Sequence, residues 1–287
     1  MVQLSNDDIL TREVLDWTGL HLFHFRFSSC SIKTRIFLNL RGASWQSHPI
    51  DLRGNENYDD WFLGLNPRGL VPVLVADGAV HIESNDIITY LDQILPGTPL
   101  IPAGREAEMA EKLRLEDDLH LDLRTVSFRF NRPPGSTFKS RELLDKYRTG
   151  GSGTVQGKQD PHRERELAFF EMASEAGIPI EAAQRSLGIF RHEFAALDAT
   201  LAQSPFLMGE TLSVLDIAWW VYVNRLVSLG YPLAARHPAL SAWYDGLCAR
   251  PEFSREIFRS PQEHAALDAV LAAHAERGES MAELLGD

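Results

Sequence analysis

The sequence predicts an α/β domain over residues 19–96 followed by an all-helical domain over 106–287, and three observations carry that reading. An apolar run, Leu20-His21-Leu22-Phe23-His24-Phe25, hands over at Ser28-Ser29-Cys30-Ser31 to a segment in which Ile32, Ile36, Phe37 and Leu40 recur at helical spacing. Asp77-Gly78 is a hairpin turn between two apolar runs. From Glu106 onward the apolar residues recur at the helical period over long stretches.

Each element follows from its own residues. Met1 to Thr18 places Asp7, Asp8, Arg12, Glu13 and Asp16 among its apolar residues, which rules out a signal-peptide core and predicts a short extension (1–18) ahead of the first strand. Leu20 to Phe25 reads as that strand. Ser28 to Ser31 then sits at a helix N-terminus, where unpaired N–H groups and the positive end of the helix dipole favour an anion and a hydroxyl adds a charge-assisted hydrogen bond. Such a place suits a thiolate; the competing reading is a run of capping serines. Gly42 stops the helix, and Trp45 to Leu52 predicts a strand whose Pro49 confines it to a sheet edge. Asn66-Pro67-Arg68-Gly69-Leu70 is irregular and leads into Val71-Pro72-Val73-Leu74-Val75. After the hairpin and Ala79 to Ile82, Glu83-Ser84-Asn85-Asp86 opens a helix that turns Ile87, Ile88, Leu91, Ile94 and Leu95 inward.

A linker at 97–105 separates this half from the helices. Met109, Leu113, Leu119, Leu123 and Val126 predict one long amphipathic helix from Glu106 to Phe130, and Leu187, Phe190, Phe194, Leu197 and Leu201 predict another from Ile180 to Gln203. Ser213 and Asp216 form a capping box ahead of the most apolar helix, Ile217 to Leu229. Between these helices, residues 131–161 are rich in turn formers and polar groups and predict a surface excursion or a partly mobile insertion. Within it, Gly153 to Lys158 resembles a phosphate loop only superficially: the glycines are too close, Gln159 stands where a hydroxyl is required, and no strand precedes it.

The chain has 287 residues, 44% of them hydrophobic, with a net charge of −12. That length provides two domains of ordinary size, the absence of a long apolar span argues against a membrane protein, and the acidity argues against a nucleic-acid partner. Two cysteines, Cys30 and Cys248, make no disulfide framework and fit a reducing compartment, hence a cytoplasmic protein. No HExxH, GxSxG, paired-cysteine metal site or internal repeat is present, so no metal is expected.

Taken in order, Ser28-Ser29-Cys30-Ser31, Asn66-Pro67 through Val71-Pro72, and Glu83-Ser84 resemble the N-terminal, thioredoxin-like domain of cytosolic glutathione transferases. The likeness covers nearly the whole chain. Phe25 to Ser31 followed by Lys33-Thr34-Arg35-Ile36 is most similar to the zeta class, which includes maleylacetoacetate isomerases, and to the related tetrachlorohydroquinone reductive dehalogenase. The resemblance implies an α/β thioredoxin-like N-terminal domain plus an all-α C-terminal domain, glutathione as cosubstrate, a small hydrophobic electrophile as the other substrate, and a homodimer.

It also implies roles. Ser28 would donate a hydrogen bond to the glutathione sulfur, with Ser29 and Ser31 as the alternatives. A cis Val71–Pro72 bond would turn the backbone of Val71 outward to pair with the tripeptide. Glu83 and Ser84 would receive the γ-glutamyl end, Glu83 from its ammonium and Ser84 from its carboxylate, although Ser84 or Asp86 can equally be read as simple caps. Asn57 would meet the glycyl end. Cys30 is either a small apolar side chain behind the loop or a low-pKa thiol that resolves a glutathionyl adduct. Zeta isomerases carry an arginine directly before the serine pair; here Phe27 stands there and Arg26 precedes it. Phe27, His24 and Phe138 point to an aromatic or bulky acceptor, and Arg26 to an anionic one. Conjugation, dehalogenation and ether cleavage therefore stand beside isomerisation, and a ligand-binding or interaction module with little turnover is the reading from another class.

Overall fold

The computed structural model describes residues 1–286. The chain divides into two compact units, one of residues 1–98 and 138–174, the other of residues 99–137 and from 175 onward.

The first unit is built on a five-stranded sheet of order β1-β5-β4-β2-β3, from β1 (Val2–Gln3), β2 (Leu20–His24), β3 (Gln46–Pro49), β4 (Val73–Ala76) and β5 (Ala79–Ile82). β2 and β3 run parallel, joined by helix α1 (Ser29–Arg41); the other pairs are antiparallel. β4 is buried along its whole length, which its unbroken Val-Leu-Val-Ala sequence anticipates. Pairing of Phe23 with Val73 and of Leu22 with Leu74 fixes the register, and alternation assigns the faces. Phe23, Val73, Val75, Val80 and Ile82 join Phe62 and Leu65 of α2 (Asp60–Leu65) in one core cluster. On the opposite face His81, paired with Leu74, stacks on Tyr90 of α3 (Ser84–Ile94) at 4.0 Å, and α3 packs on α1.

Two expectations change here, and the hairpin is as expected. The N-terminal residues do not merely precede the sheet: Val2 and Gln3 add its fifth strand, and Leu4, Ile9 and Val14 fill the Phe23 core. Charged neighbours hide these apolar positions from a periodicity reading. The edge strand is shorter than Trp45 to Leu52, with Pro49 at its end. Asp77 and Gly78 both take positive φ, 46° and 79°, as a twisted two-residue hairpin requires, and a Cβ at Gly78 would lie 2.2 Å from the Leu15 carbonyl oxygen.

Residues 138–161 of the polar insertion belong to the first unit. They fold into α6 (Arg141–Thr149) and a β6–β7 hairpin (Thr154–Val155 and Lys158–Gln159), and α7 (His162–Ala176) follows, numbered after two helices of the other unit. Leu144, Tyr147, Leu167, Phe169 and Phe170 are buried, and Tyr147 stacks on Tyr58 at 4.5 Å while its hydroxyl donates to the Arg68 carbonyl at 2.9 Å. The Asp8 carboxylate accepts from Thr154 Oγ1 at 2.7 Å and from the Gly157 N–H at 3.0 Å. That anchor closes the glycine-rich turn on a fixed anion, the opposite of a phosphate cradle.

In the second unit the helix expected from Glu106 to Phe130 breaks at Leu119 (φ −87°, ψ 0°) into α4 (Glu106–Asp118) and α5 (His120–Phe130). The apolar period carries across a one-residue break and so does not reveal it. α5 packs on α8 (Ile180–Leu201), and α4 on α9 (Val214–Val227). The capping box is present. Asp216 is fully buried and accepts from Ser213 N–H at 2.9 Å, Ser213 Oγ at 2.6 Å, Leu207 N–H at 2.9 Å and Trp243 Nε1 at 3.1 Å.

Candidate active site

Strand register gathers the candidate residues. β2 ends at His24, β4 starts at Val73 opposite Phe23, and β5 leaves the sheet at Ile82 beside it, so residues 26–31, 70–72 and 83–84 emerge at the same end of the sheet. α1 and α3 both begin there, and their positive ends converge on that end.

Ser28 is the N-cap of α1, its Oγ accepting from the Ser31 N–H at 3.3 Å. An oxygen used as acceptor in this way keeps its own hydrogen to donate elsewhere. Ser31 is fully buried and its Oγ accepts from the Phe25 N–H at 3.3 Å, which fixes it inside the loop. Ser29 is buried, and Cys30 is half-buried and in no disulfide. The Val71–Pro72 peptide is cis. Among the described residues neither backbone polar group of Val71 has a hydrogen-bond partner, although Val71 is largely buried.

Glu83 takes a left-handed backbone conformation, φ 67° and ψ 115°, uncommon for a residue with a side chain and found where surrounding structure enforces it. Its carboxylate pairs with Arg68 Nη1, and Arg68 also holds Asp160 through Nε–Oδ2 at 2.6 Å and Nη2–Oδ1 at 3.1 Å. Ser84 opens α3 and is buried. Asn57 is buried beside this loop: its Nδ2 donates to the Gly69 carbonyl at 2.7 Å, and its Oδ1 has no partner among the described residues.

His24, at the end of β2, turns its ring into the protein. Its Nδ1 meets Arg35 Nη1 at 3.2 Å and its Nε2 meets Ser47 Oγ at 2.8 Å, so both ring nitrogens are engaged in the protein. Burial first, and the Arg35 charge next, lower its pKa to about 4. Arg35 is the residue the sequence reading passed over. It is buried, and its guanidinium also donates to the carbonyls of Phe25 at 3.3 Å and Arg26 at 2.9 Å, fixing the turn that presents Ser28. A charge at a position in line with Ser31 and Leu38 on a helix was the available signal. Lys33, also fully buried, donates to Asn85 Oδ1 at 2.8 Å and ties α1 to the start of α3.

Arg26 is exposed and Phe27 half-buried. The Arg26 guanidinium carbon lies 4.7 Å and that of Arg53 5.5 Å from the centre of the Phe27 ring, which itself meets Phe25 edge-on at 5.9 Å. Phe138 is half-buried where the insertion enters the first unit. Among the described residues no group of three His, Cys, Asp or Glu side chains is placed to hold a metal ion, and no helix is long and apolar enough to cross a membrane.

Family models for the glutathione S-transferase N-terminal domain and C-terminal domain match residues 27–94 and 180–246. The chain is 27% identical over 254 residues to Protein LigF of Sphingobium sp. (strain NBRC 103272 / SYK-6), covering 85% of this chain and 95% of that one. It is 24% identical over 241 residues to the tetrachloro-p-hydroquinone reductive dehalogenase of Sphingobium chlorophenolicum, 81% of this chain and 93% of that one. Similarity to the zeta-class glutathione S-transferase of Euphorbia esula is higher, 39%, but spans 84 residues, 29% of this chain and 37% of that one. Among solved structures, the β-etherase LigF from Sphingobium sp. strain SYK-6 aligns with a TM-score of 0.69 at 25% identity, over 83% of this chain and 98% of that one.

Proposed function

The chain belongs to the glutathione S-transferase family, and we propose that this enzyme uses Ser28 to hold glutathione as a thiolate that attacks a hydrophobic, aromatic electrophile. One observation carries the assignment to Ser28: its Oγ caps α1 as an acceptor while its hydrogen remains to be given, at the end of the sheet where two helices begin. A hydroxyl donating to sulfur and a positive helix end both stabilise the charged form over the thiol and lower its pKa. Ser31 Oγ also accepts a backbone N–H and keeps its hydrogen, but its side chain is fully buried within the loop, which sets it behind Ser28; Ser29 is the runner-up.

The tripeptide would lie along Val71, whose N–H and C=O would pair with the cysteinyl backbone, with its γ-glutamyl end at Glu83 and Ser84. Asn57 supports this by holding the Gly69 carbonyl just before Val71. The electrophile would meet Phe27 with Arg26 and Arg53 over its ring, a surface that suits an aryl group carrying a negative charge. In ether cleavage the thiolate forms a C–S bond as the C–O bond breaks and a phenolate leaves; in conjugation or dehalogenation a halide leaves instead. The likeness to LigF over almost its full length favours the ether, and that to the dehalogenase keeps halide displacement beside it. Isomerisation of a maleyl acid would need Arg26 to serve from one position earlier than in the zeta class. The two cysteines, neither of them in a disulfide, fit the reducing cytoplasm, and the family resemblance implies a homodimer, which light scattering checks.

Glutathione titration followed by absorbance of the thiolate near neutral pH tests the site, and a panel of aryl ethers, chlorinated hydroquinones and maleyl acids tests the reaction. Thiolate formation with turnover of an aryl ether is the expected result. Binding without turnover of any member would leave a ligand-binding module, and turnover of maleyl acids alone would make the protein an isomerase.

A further inference from the structure

Arg68, Glu83 and Asp160 form a triad at the γ-glutamyl end of the site. All three side chains are largely buried, 15%, 30% and 10% exposed. Arg68 directs three donor groups into it, one to Glu83 and two, as a fork, to Asp160. Asp160 comes from the insertion, 92 positions away in sequence from Arg68, and its Oδ1 also accepts from the His162 N–H at 3.3 Å. The hydrogen bonds and charge of Arg68 pull the Asp160 carboxyl below the ordinary carboxylate range even though burial, the largest single influence, opposes them.

Charge arithmetic gives the triad its consequence. Glu83 paired with Arg68 alone is neutral overall and offers little to a cation. Adding Asp160 leaves the three side chains with one net negative charge, and because the fork commits Arg68 to Asp160, the second oxygen of Glu83 stays available. We propose that Asp160 is a positioning residue for recognition of the glutathione amino group: it supplies the counter-charge to Arg68 and so leaves Glu83 able to accept from the α-ammonium. The insertion thereby completes the binding site of its own chain. This rests on the reading of Glu83 and Ser84 as the γ-glutamyl site.

The test compares glutathione with an analogue in which the glutamyl amino group is replaced by hydrogen, using calorimetry on the wild-type protein, Asp160→Asn and Asp160→Glu. Wild type should prefer glutathione. Asp160→Asn should weaken glutathione about tenfold, the effect of roughly 1.4 kcal/mol, leave the analogue within about twofold, and raise the KM for glutathione by a larger factor than it changes kcat, while Asp160→Glu recovers most of the loss. Equal weakening of both ligands would mean that Asp160 only props up the loop, and no weakening of either would remove its role; each overturns the proposal. If wild type itself does not distinguish the ligands, the γ-glutamyl reading falls, and the role of Asp160 with it. A melting temperature for Asp160→Asn within a few degrees of wild type shows that the comparison is made on folded protein.

Discussion

Protonation of His24 should unlock the turn that carries Ser28, and its free-energy cost follows from the contacts around the ring. A guanidinium only donates, so His24 Nδ1 must be unprotonated to accept from Arg35 at 3.2 Å, which leaves Nε2–H to donate to Ser47 Oγ at 2.8 Å. Burial, then the charge of Arg35, then His48, depress the folded pKa to about 4, against about 6.5 for an unfolded histidine. Between those values the unfolded chain binds the extra proton, so stability falls as the pH falls. Integrating the linkage gives a loss of about 2 kcal/mol between roughly pH 7.5 and pH 5, growing to about 3 near pH 4. Urea denaturation of wild type and of His24→Asn at those pH values measures it, because the Asn carbonyl can replace Nδ1 as acceptor and does not titrate. His81 and His237, whose pKa values burial also lowers, contribute equally to both proteins and cancel in the difference, whereas the repulsion between His24 and His48 is lost in His24→Asn and counts as part of the His24 effect. The same loss of stability in His24→Asn as in wild type would refute the argument. Activity should decline over the same acid range, since a charged His24 repels Arg35 and frees the Phe25 and Arg26 carbonyls it holds.

Ser28→Ala should raise the pKa of bound glutathione and lower kcat/KM by the 1.5–3 kcal/mol typical of a hydrogen bond to a charged group, roughly 10- to 150-fold. It should also cost about 1 kcal/mol of stability through loss of the α1 cap; retained thiolate absorbance in Ser28→Ala, with loss in Ser29→Ala, would move the role to Ser29. Cys30→Ser separates two chemistries. In reductive dehalogenation the Cys30 thiolate attacks the sulfur of an aryl–glutathione conjugate, the aromatic carbon takes a proton, and a second glutathione resolves the Cys30 disulfide as oxidised glutathione, so the variant should accumulate the conjugate. Conjugation and ether cleavage need no such step, and mass spectrometry of quenched wild type decides by the presence or absence of a glutathione adduct on Cys30. Asp216→Ala should destabilise the second unit by roughly 3 kcal/mol or more, since it strands the Ser213, Leu207 and Trp243 donors; a loss under about 1 kcal/mol in urea denaturation would contradict the hydrogen-bond assignment.

The strand-to-helix junction was legible because every signal in it is local. Leu20 to Phe25 is apolar, Ser28 caps, Gly42 terminates with φ 57°, and Asp77-Gly78 closes the hairpin. The capping box at Ser213 and Asp216 was legible for the same reason. The fifth strand was not, because a two-residue strand has no period, and Val2 and Gln3 become a strand only by pairing with Ile82 and His81. Nor was the place of the insertion: Leu144 and Tyr147 are spaced among charges and glycines, and Tyr147 is buried while stacking on Tyr58 of a distant segment. His24 could have been read better. It shares a strand face with Leu22, the face that α1 covers, and a histidine there meets a helix before it meets a substrate.

Long-range pairing also explains why the motif residues describe only part of the site. Ser28, Val71, Glu83 and Ser84 are set by other residues: Arg35 fixes the turn before Ser28, Asn57 holds the loop before Val71, Lys33 joins α1 to α3, and Arg68 with Asp160 sets the charge at Glu83. Under the proposed reading these supports match glutathione group by group. The thiolate meets a hydroxyl and a positive helix end, the cysteinyl peptide meets unpaired backbone at Val71, the ammonium meets a triad with one net negative charge, and the γ-glutamyl carboxylate meets the start of a second helix. A substitution in the supporting set should therefore select among these groups, so that a loss confined to one end of glutathione identifies which support has failed, whereas a loss spread over the whole ligand points to a collapsed fold.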